Sequence, residues 1–121
     1  MGYRAFIGKI RKGKEEEYVS VHRNVWPELL DAMKEAGVER ESCFALGGYI
    51  FVYVEAADIV TTLEKLQNNP VNQKWDVFME PILEPPIDGY AEFFPEMREV
   101  FRMCNIESVG TDWHTTGERH S

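Results

Sequence analysis

Residues 41–55 run ESCFALGGYIFVYVE, and their reading decides the fold. Gly47-Gly48 separates two runs of strand-forming residues, 41–46 and 49–55, and a glycine pair in that position is a hairpin signal. The second run alternates more cleanly than any other part of the chain. Ile50, Val52 and Val54 point to one face, and Tyr49, Phe51, Tyr53 and Glu55 to the other. The aliphatic face suits packing beneath helices. The aromatic face, ending in an acid, suits a cavity or a subunit interface, or simply a second hydrophobic layer.

Upstream of the hairpin, residues Tyr3 to Ile10 read as a first strand closed by Gly13. From Lys14 to Ala36 the apolar positions Tyr18, Val21, Val25, Leu29, Met33 and Ala36 recur at spacings of three and four, the period of an amphipathic helix. Pro27 interrupts that run. It lacks a backbone donor and biases Trp26 away from helical geometry, so the spacing predicts a kink or two abutting helices, ending at Gly37.

Downstream, Asp58 to Gln67 reads as a short helix capped near Asp58. Asn69-Pro70 then supplies an N-cap and a first-turn proline for another helix through Trp75, Phe78 and Met79, stopped near Pro81. Residues 84–95, with Pro85, Pro86, Gly89 and Pro95, read as a loop wrapping the surface. Met97 to Met103 reads as a last strand. The order is strand, long helix, hairpin, helix pair, strand, which makes an α+β domain over residues 1–105: a four-stranded antiparallel sheet with helices on one face. Residues 106–121 read as a polar C-terminal tail, in which His114 and His120 are too far apart and too terminal to suggest a metal site. The uncovered, aromatic sheet face makes a homodimer the simplest expectation.

Composition narrows the function classes. The 121 residues carry 21 acids against 13 bases, a net charge of −8, which argues against a nucleic-acid surface or a basic membrane-surface helix. The local bases Arg4, Lys9, Arg11, Lys12 and Lys14 run straight into Glu15, Glu16 and Glu17, the pattern of a solvated turn and an acidic first helical turn. No apolar run approaches the roughly 20 residues of a membrane span, and the N-terminal residues show no signal-peptide core. Cys43 and Cys104 show no disulfide framework or metal-ligand spacing, and Cys43 reads as a buried strand thiol. The chain is expected to be cytoplasmic.

Chemistry concentrates on the first helix. Tyr18 and His22 are four residues apart and share a face, with Trp26 four further on. A phenol, an imidazole and an indole in a row can grip a sugar ring, and imidazole titrates near neutrality. A lone histidine on a helix face is also commonly a satisfied core residue.

The stretch 18–29, YVSVHRNVWPEL, resembles the Tyr-x-x-x-His-x-x-x-Trp-Pro-Glu-Leu segment of the L-rhamnose mutarotase family. The similarity extends through Gly37, the strand at Tyr49 to Glu55, Gln73-Lys74-Trp75 and Glu99-Val100-Phe101, and spans roughly residues 3–103. The resemblance implies a homodimer of ferredoxin-like subunits of the dimeric α/β-barrel type. It also implies interconversion of the α and β anomers of a deoxysugar, with no metal or organic cofactor. Under it, His22 is the proton donor, Tyr18 a sugar-binding tyrosine and Trp75 the first of two adjacent tryptophans lining the sugar pocket. Two positions depart: Asp76 stands where the second tryptophan would be, and Glu41 where a pocket tyrosine is expected. Both put carboxylates in place of stacking surface and leave L-rhamnose and L-fucose as competing substrates. The general base stays open among Asp76, Glu41, Tyr18 and water. Two other readings stand beside the mutarotase: a cofactor-free oxygenase with an apolar pocket, and a binding or dimerisation module in which Tyr18, His22 and Trp75 do not converge.

Overall fold

Both glycines of the hairpin have positive φ, 62° at Gly47 and 84° at Gly48, the conformation that a two-residue turn between twisted strands demands. They join β2 (Val38–Leu46) to β3 (Tyr49–Ala56) in antiparallel register, from Leu46 opposite Tyr49 to Val38 opposite Ala56, with an irregularity between Val38 and Arg40. The computed structural model describes residues 2–105. In it, β1 (Gly2–Ile10) pairs antiparallel with the other edge of β3, from Gly2 opposite Ala56 to Lys9 opposite Tyr49.

The expected interruption at Pro27 divides the first helical region in two. α1 (Glu15–His22) ends before it, and α2 (Pro27–Ala36) begins on the proline itself. Trp26 takes an extended conformation (φ −56°, ψ 131°), as the clash with a following proline ring requires. Gly37 caps α2 in the left-handed region at φ 108°. α3 (Ile59–Gln67) is capped by Asp58, whose carboxylate accepts from the Thr61 N–H. α4 (Pro70–Met79) is capped by Asn69, whose side chain accepts from Val71 and Asn72. A 3₁₀ turn over Glu80–Ile82 then carries Pro81.

The core lies where the even-numbered residues of β1 and β3 meet the helices. Ile10 and Ile50 pack with Tyr18 of α1 and Met79 of α4, while Val54 and Ala56 pack with Ile59 of α3. α2 rests chiefly on α3 and α4, burying Leu29, Ala32 and Ala36. Gly8 shares the core face with Ile50, and a Cβ there would overlap the Phe94 ring. Among the described residues, no helix is long and apolar enough to cross a membrane.

The outer edge of β1 departs from expectation. It is shared by two short strands, β4 (Leu83–Glu84) opposite Lys9 and Ile10, and β5 (Glu96–Met97) opposite Ala5 and Phe6. The predicted strand to Met103 stops at Met97. With Met97 opposite Ala5 and the chains antiparallel, even a continuing ladder would reach Gly2, the first residue of β1, at Val100 and leave residues 101–103 with no part of β1 to join. The predicted surface loop 84–95 also does more than wrap: Phe93 and Phe94 fold back against the core. The expectations for the tail at 106–121, with His114 and His120, lie outside the described residues.

Gly8→Ala is expected to force the Phe94 ring out of place and cost about 1–3 kcal/mol, the usual penalty of overpacking a filled core. Urea denaturation measures it; an unchanged midpoint would show that Phe94 yields freely.

Candidate active site

α1 ends where its chemistry begins. Tyr18 and His22, one turn apart, stack with ring centroids 4.1 Å apart at 27°. His22 Nδ1 lies 2.9 Å from the backbone oxygen of Tyr18. A carbonyl only accepts, so Nδ1 carries the proton and donates, leaving Nε2 as the nitrogen free to give or take one. The Trp75 ring from α4 meets His22 edge-on at 5.6 Å.

These three side chains line one cavity of about 640 Å³ between the helices and the core face of the sheet, within the size range of small-molecule sites. Its floor is a row set by strand register: Cys43 of β2 opposite Val52 of β3, itself opposite Phe6 of β1. Glu41 and Val54 form the next row. α4 contributes Asn72, Trp75, Asp76 and Met79, the 3₁₀ turn contributes Glu80, and the loop after β4 closes the wall with Glu92, Phe93 and Phe94. Of the six residues singled out from the sequence, Tyr18, His22, Trp75, Asp76 and Glu41 line this cavity. Trp26 does not. Its extended backbone takes it off the α1 face, and it packs edge-on against Trp75 at 5.0 Å and against Phe78 at 5.3 Å, behind the cavity wall.

The cavity is acidic. Glu41, Asp76, Glu80 and Glu92 line it, and among the described residues no lysine or arginine does. Burial, and then the neighbouring Glu80, raises the pKa of Asp76 above the usual carboxylate range. Burial likewise raises that of Glu41, which reaches solvent at the cavity mouth while its surroundings crowd it. The Tyr18 hydroxyl is pushed up by burial, then by the adjacent Cys43 and Glu41. Cys43 is pushed up to about 11 by burial and by Glu41, against the opposing effect of its hydrogen bond with Tyr18. At neutral pH the phenol and the thiol are therefore neutral donors. Cys43 was expected to be a buried strand thiol; it is on the strand but solvent-exposed, because its row faces the cavity.

A second groove, of about 950 Å³, runs past Tyr3, Arg4, Tyr53, Glu96 and Arg102. Among the described residues it has no histidine, and its charges are partly spent on one another: Arg4 with Glu96 at 3.2 Å and Arg102 with Glu99 at 2.7 Å. The smaller cavity, with its titratable and stacking groups converging, is the candidate site.

Sequence reasoning missed Glu80, Glu92, Phe93 and Phe94. Glu80 was within reach, because it follows Asp76 by four residues on one helical face. The other three lie in an irregular loop with no period to betray their direction.

An antiparallel sheet with helices on one face, its cavity between the layers, is the subunit fold of the dimeric α/β-barrel class. The chain belongs to the L-rhamnose mutarotase family, whose model matches residues 4–103. It is 34% identical over 102 residues to the L-rhamnose mutarotase of Listeria monocytogenes, covering 83% of this chain and 96% of that one. It is 32% identical over 101 residues to that of Sinorhizobium fredii, covering 82% and 95%. The crystal structure of an L-rhamnose mutarotase from Formosa agariphila superposes with a TM-score of 0.69 at 28% identity, over 85% of this chain and 99% of that one. Tetracenomycin F2 cyclase from Streptomyces glaucescens shares the fold alone, with a TM-score of 0.62 at 16% identity over 86% and 100% of the two chains.

Burial raises the proton affinity of Glu41 in the folded state above its unfolded value, so the folded protein holds that proton more tightly. Its contribution to stability is therefore greatest at acidic pH and declines as pH rises from about 4, the unfolded carboxylate range, through the raised pKa. Glu41→Gln is expected to melt above the wild type at pH 8 and to lose that advantage near pH 4. Calorimetric scans at the two values check the sign, and a gain confined to acid would contradict it.

Proposed function

We propose that the protein is an aldose mutarotase interconverting the α and β anomers of a deoxyhexose, L-rhamnose or L-fucose, with His22 as proton donor. The observation that carries this reading is the convergence of Tyr18, His22 and Trp75 on one cavity. The family match and the L-rhamnose mutarotases among its relatives support the substrate class. The carboxylates in the cavity count against an aromatic-substrate oxygenase, and the convergence counts against a purely structural module.

Mutarotation needs a proton placed on the ring oxygen and one removed from the anomeric hydroxyl. The ring opens, the aldehyde rotates about its bond to C2, and the steps reverse. Protonated His22 supplies the first proton through Nε2, its orientation fixed by the Nδ1 contact with the Tyr18 carbonyl. The neutral Tyr18 hydroxyl donates to a sugar oxygen, and Trp75 offers its face to the apolar side of the sugar. Glu41 and Asp76 accept from ring hydroxyls, where acceptors rather than a stacking plane select among sugars that differ in hydroxyl orientation. The free thiols of Cys43 and Cys104 fit a reducing, cytoplasmic setting.

Anomer-exchange NMR across a panel of aldoses tests the reading. The wild type is expected to accelerate exchange of L-rhamnose or L-fucose, and His22→Ala to lose about 10²–10⁴-fold, the usual share of one general acid. A folded wild type that accelerates no aldose would end the mutarotase reading; a folded His22→Ala with full activity would remove His22 from it.

The active form is a symmetric homodimer. The sheet face away from the helices exposes Phe44, Leu46, Tyr49 and Phe51, a contiguous apolar surface that a second copy would cover. Light scattering at micromolar concentration is expected to give twice the 14.0 kDa chain mass, and a monomer would refute it.

A further inference from the structure

Glu80 has no part in the reading above, yet it caps the C-terminus of α4 in helical conformation, four residues after Asp76, and lines the same cavity. That spacing makes the two carboxyls neighbours, and among the described residues the cavity lining offers neither a lysine nor an arginine to separate their charges. Resting on the mutarotase reading, we propose that Asp76 is the group that takes and returns the proton of the anomeric hydroxyl, with Glu80 as its positioning partner.

The proton balance closes without a cofactor. In the opening step, the Asp76 carboxylate takes the proton of the anomeric O–H, and that bond's electrons form the C1 carbonyl. The bond between C1 and the ring oxygen breaks with its electron pair on oxygen, which receives the proton from His22 Nε2. After the aldehyde turns, neutral His22 removes the proton from that hydroxyl as it attacks the other face of C1. Asp76 returns its proton to the carbonyl oxygen. Both residues end as they began.

Glu41 is the rival for this part, and the surroundings separate the two. Glu41 stands beside the neutral Tyr18 hydroxyl and Cys43 thiol. Asp76 has a like-charged neighbour one turn away, which adds to burial in raising its affinity for a proton. It also adjoins Trp75, the ring that touches His22, so the acid and the base are tied to one aromatic contact. The remaining titratable groups facing the cavity are Tyr18 and His22 from α1, Cys43 from β2 and Glu92 from the loop. Because the Glu80 charge helps to raise the proton affinity of Asp76, replacing Glu80 changes the pH at which Asp76 becomes available.

The test is the pH profile of kcat/KM for anomer exchange in the wild type, Asp76→Asn, Asp76→Glu, Glu80→Gln and Glu41→Gln. It runs beside a ¹³C NMR titration of the Asp76 carboxyl, which needs no activity. Asp76→Asn is expected to lose about 10²–10⁴-fold, and Asp76→Glu to recover part of it, which separates lost chemistry from lost folding. Glu80→Gln is expected to move the acid limb of its profile and the Asp76 titration together to lower pH. Asp76→Asn at wild-type rate would overturn the proposal. So would an acid limb that Glu80→Gln leaves in place, or one that moves only in Glu41→Gln. A wild type inactive on every aldose would refute the mutarotase reading itself. In that case an Asp76 titration unmoved by Glu80→Gln would refute the pairing separately.

Discussion

Ile50 lies opposite Gly8 on one side and Ala45 on the other, while Val52 lies opposite Phe6 and Cys43. That register decides everything built on the sheet. Side chains alternate with period two, so a slip of one residue on β3 would carry Ile50, Val52 and Val54 to the open face and bring Tyr49, Phe51 and Tyr53 under the helices. The hairpin at Gly47–Gly48 fixes the count on one side. The tight row at Gly8, where only a glycine leaves room for Phe94, fixes it on the other. Small residues and a large ring share one layer there, and the loop that bears Phe94 is pulled across the cavity as a result. The floor of the site and its closing wall thus follow from one alignment of strands.

A cavity lined by four carboxylates and, among the described residues, by no lysine or arginine is a costly feature, since like charges held partly away from water and near one another destabilise the fold. The raised proton affinities of Asp76 and Glu41 are the form that cost takes. Proteins retain such strain at sites that use it. A carboxyl that holds its proton more tightly than a solvated surface acid is useful in ways that the surface acid is not. The apolar remainder of the lining, Phe6, Val52, Val54, Met79 and Leu83, keeps the effective dielectric low and so makes the polar contacts count.

Much of this was legible from the chain alone. The hairpin, the break at Pro27, the caps at Asp58 and Asn69 and the shared face of Tyr18 and His22 follow from local rules that the structure obeys. What escaped depends on long-range partners. The last strand is limited to what β1 can pair with, and its final predicted residues, 101–103, fall past Gly2, a limit set some ninety positions away that no local pattern at 97–103 contains. Phe93 and Phe94 sit in a proline-rich loop whose course is set by the space beside Gly8. Trp26 fell on the helical wheel with Tyr18 and His22, but the wheel does not survive the proline that follows it.

The displacement of Trp26 gives the aromatic residues a division of labour. Tyr18 and His22 form one stack, and Trp75 meets its edge. Trp26 and Phe78 hold Trp75 from behind at 5.0 and 5.5 Å. An imidazole that must present Nε2 to a particular oxygen cannot swing freely, and its ring here is restrained by a hydrogen bond on Nδ1, a parallel phenol on its face and an indole at its side. The indole is steady only because α2 begins at Pro27, which sends Trp26 towards α4 rather than into the cavity. The proline that breaks the helix therefore shapes the cavity: it converts what would have been a third ring on the Tyr18–His22 face into a support for the Trp75 indole beside them.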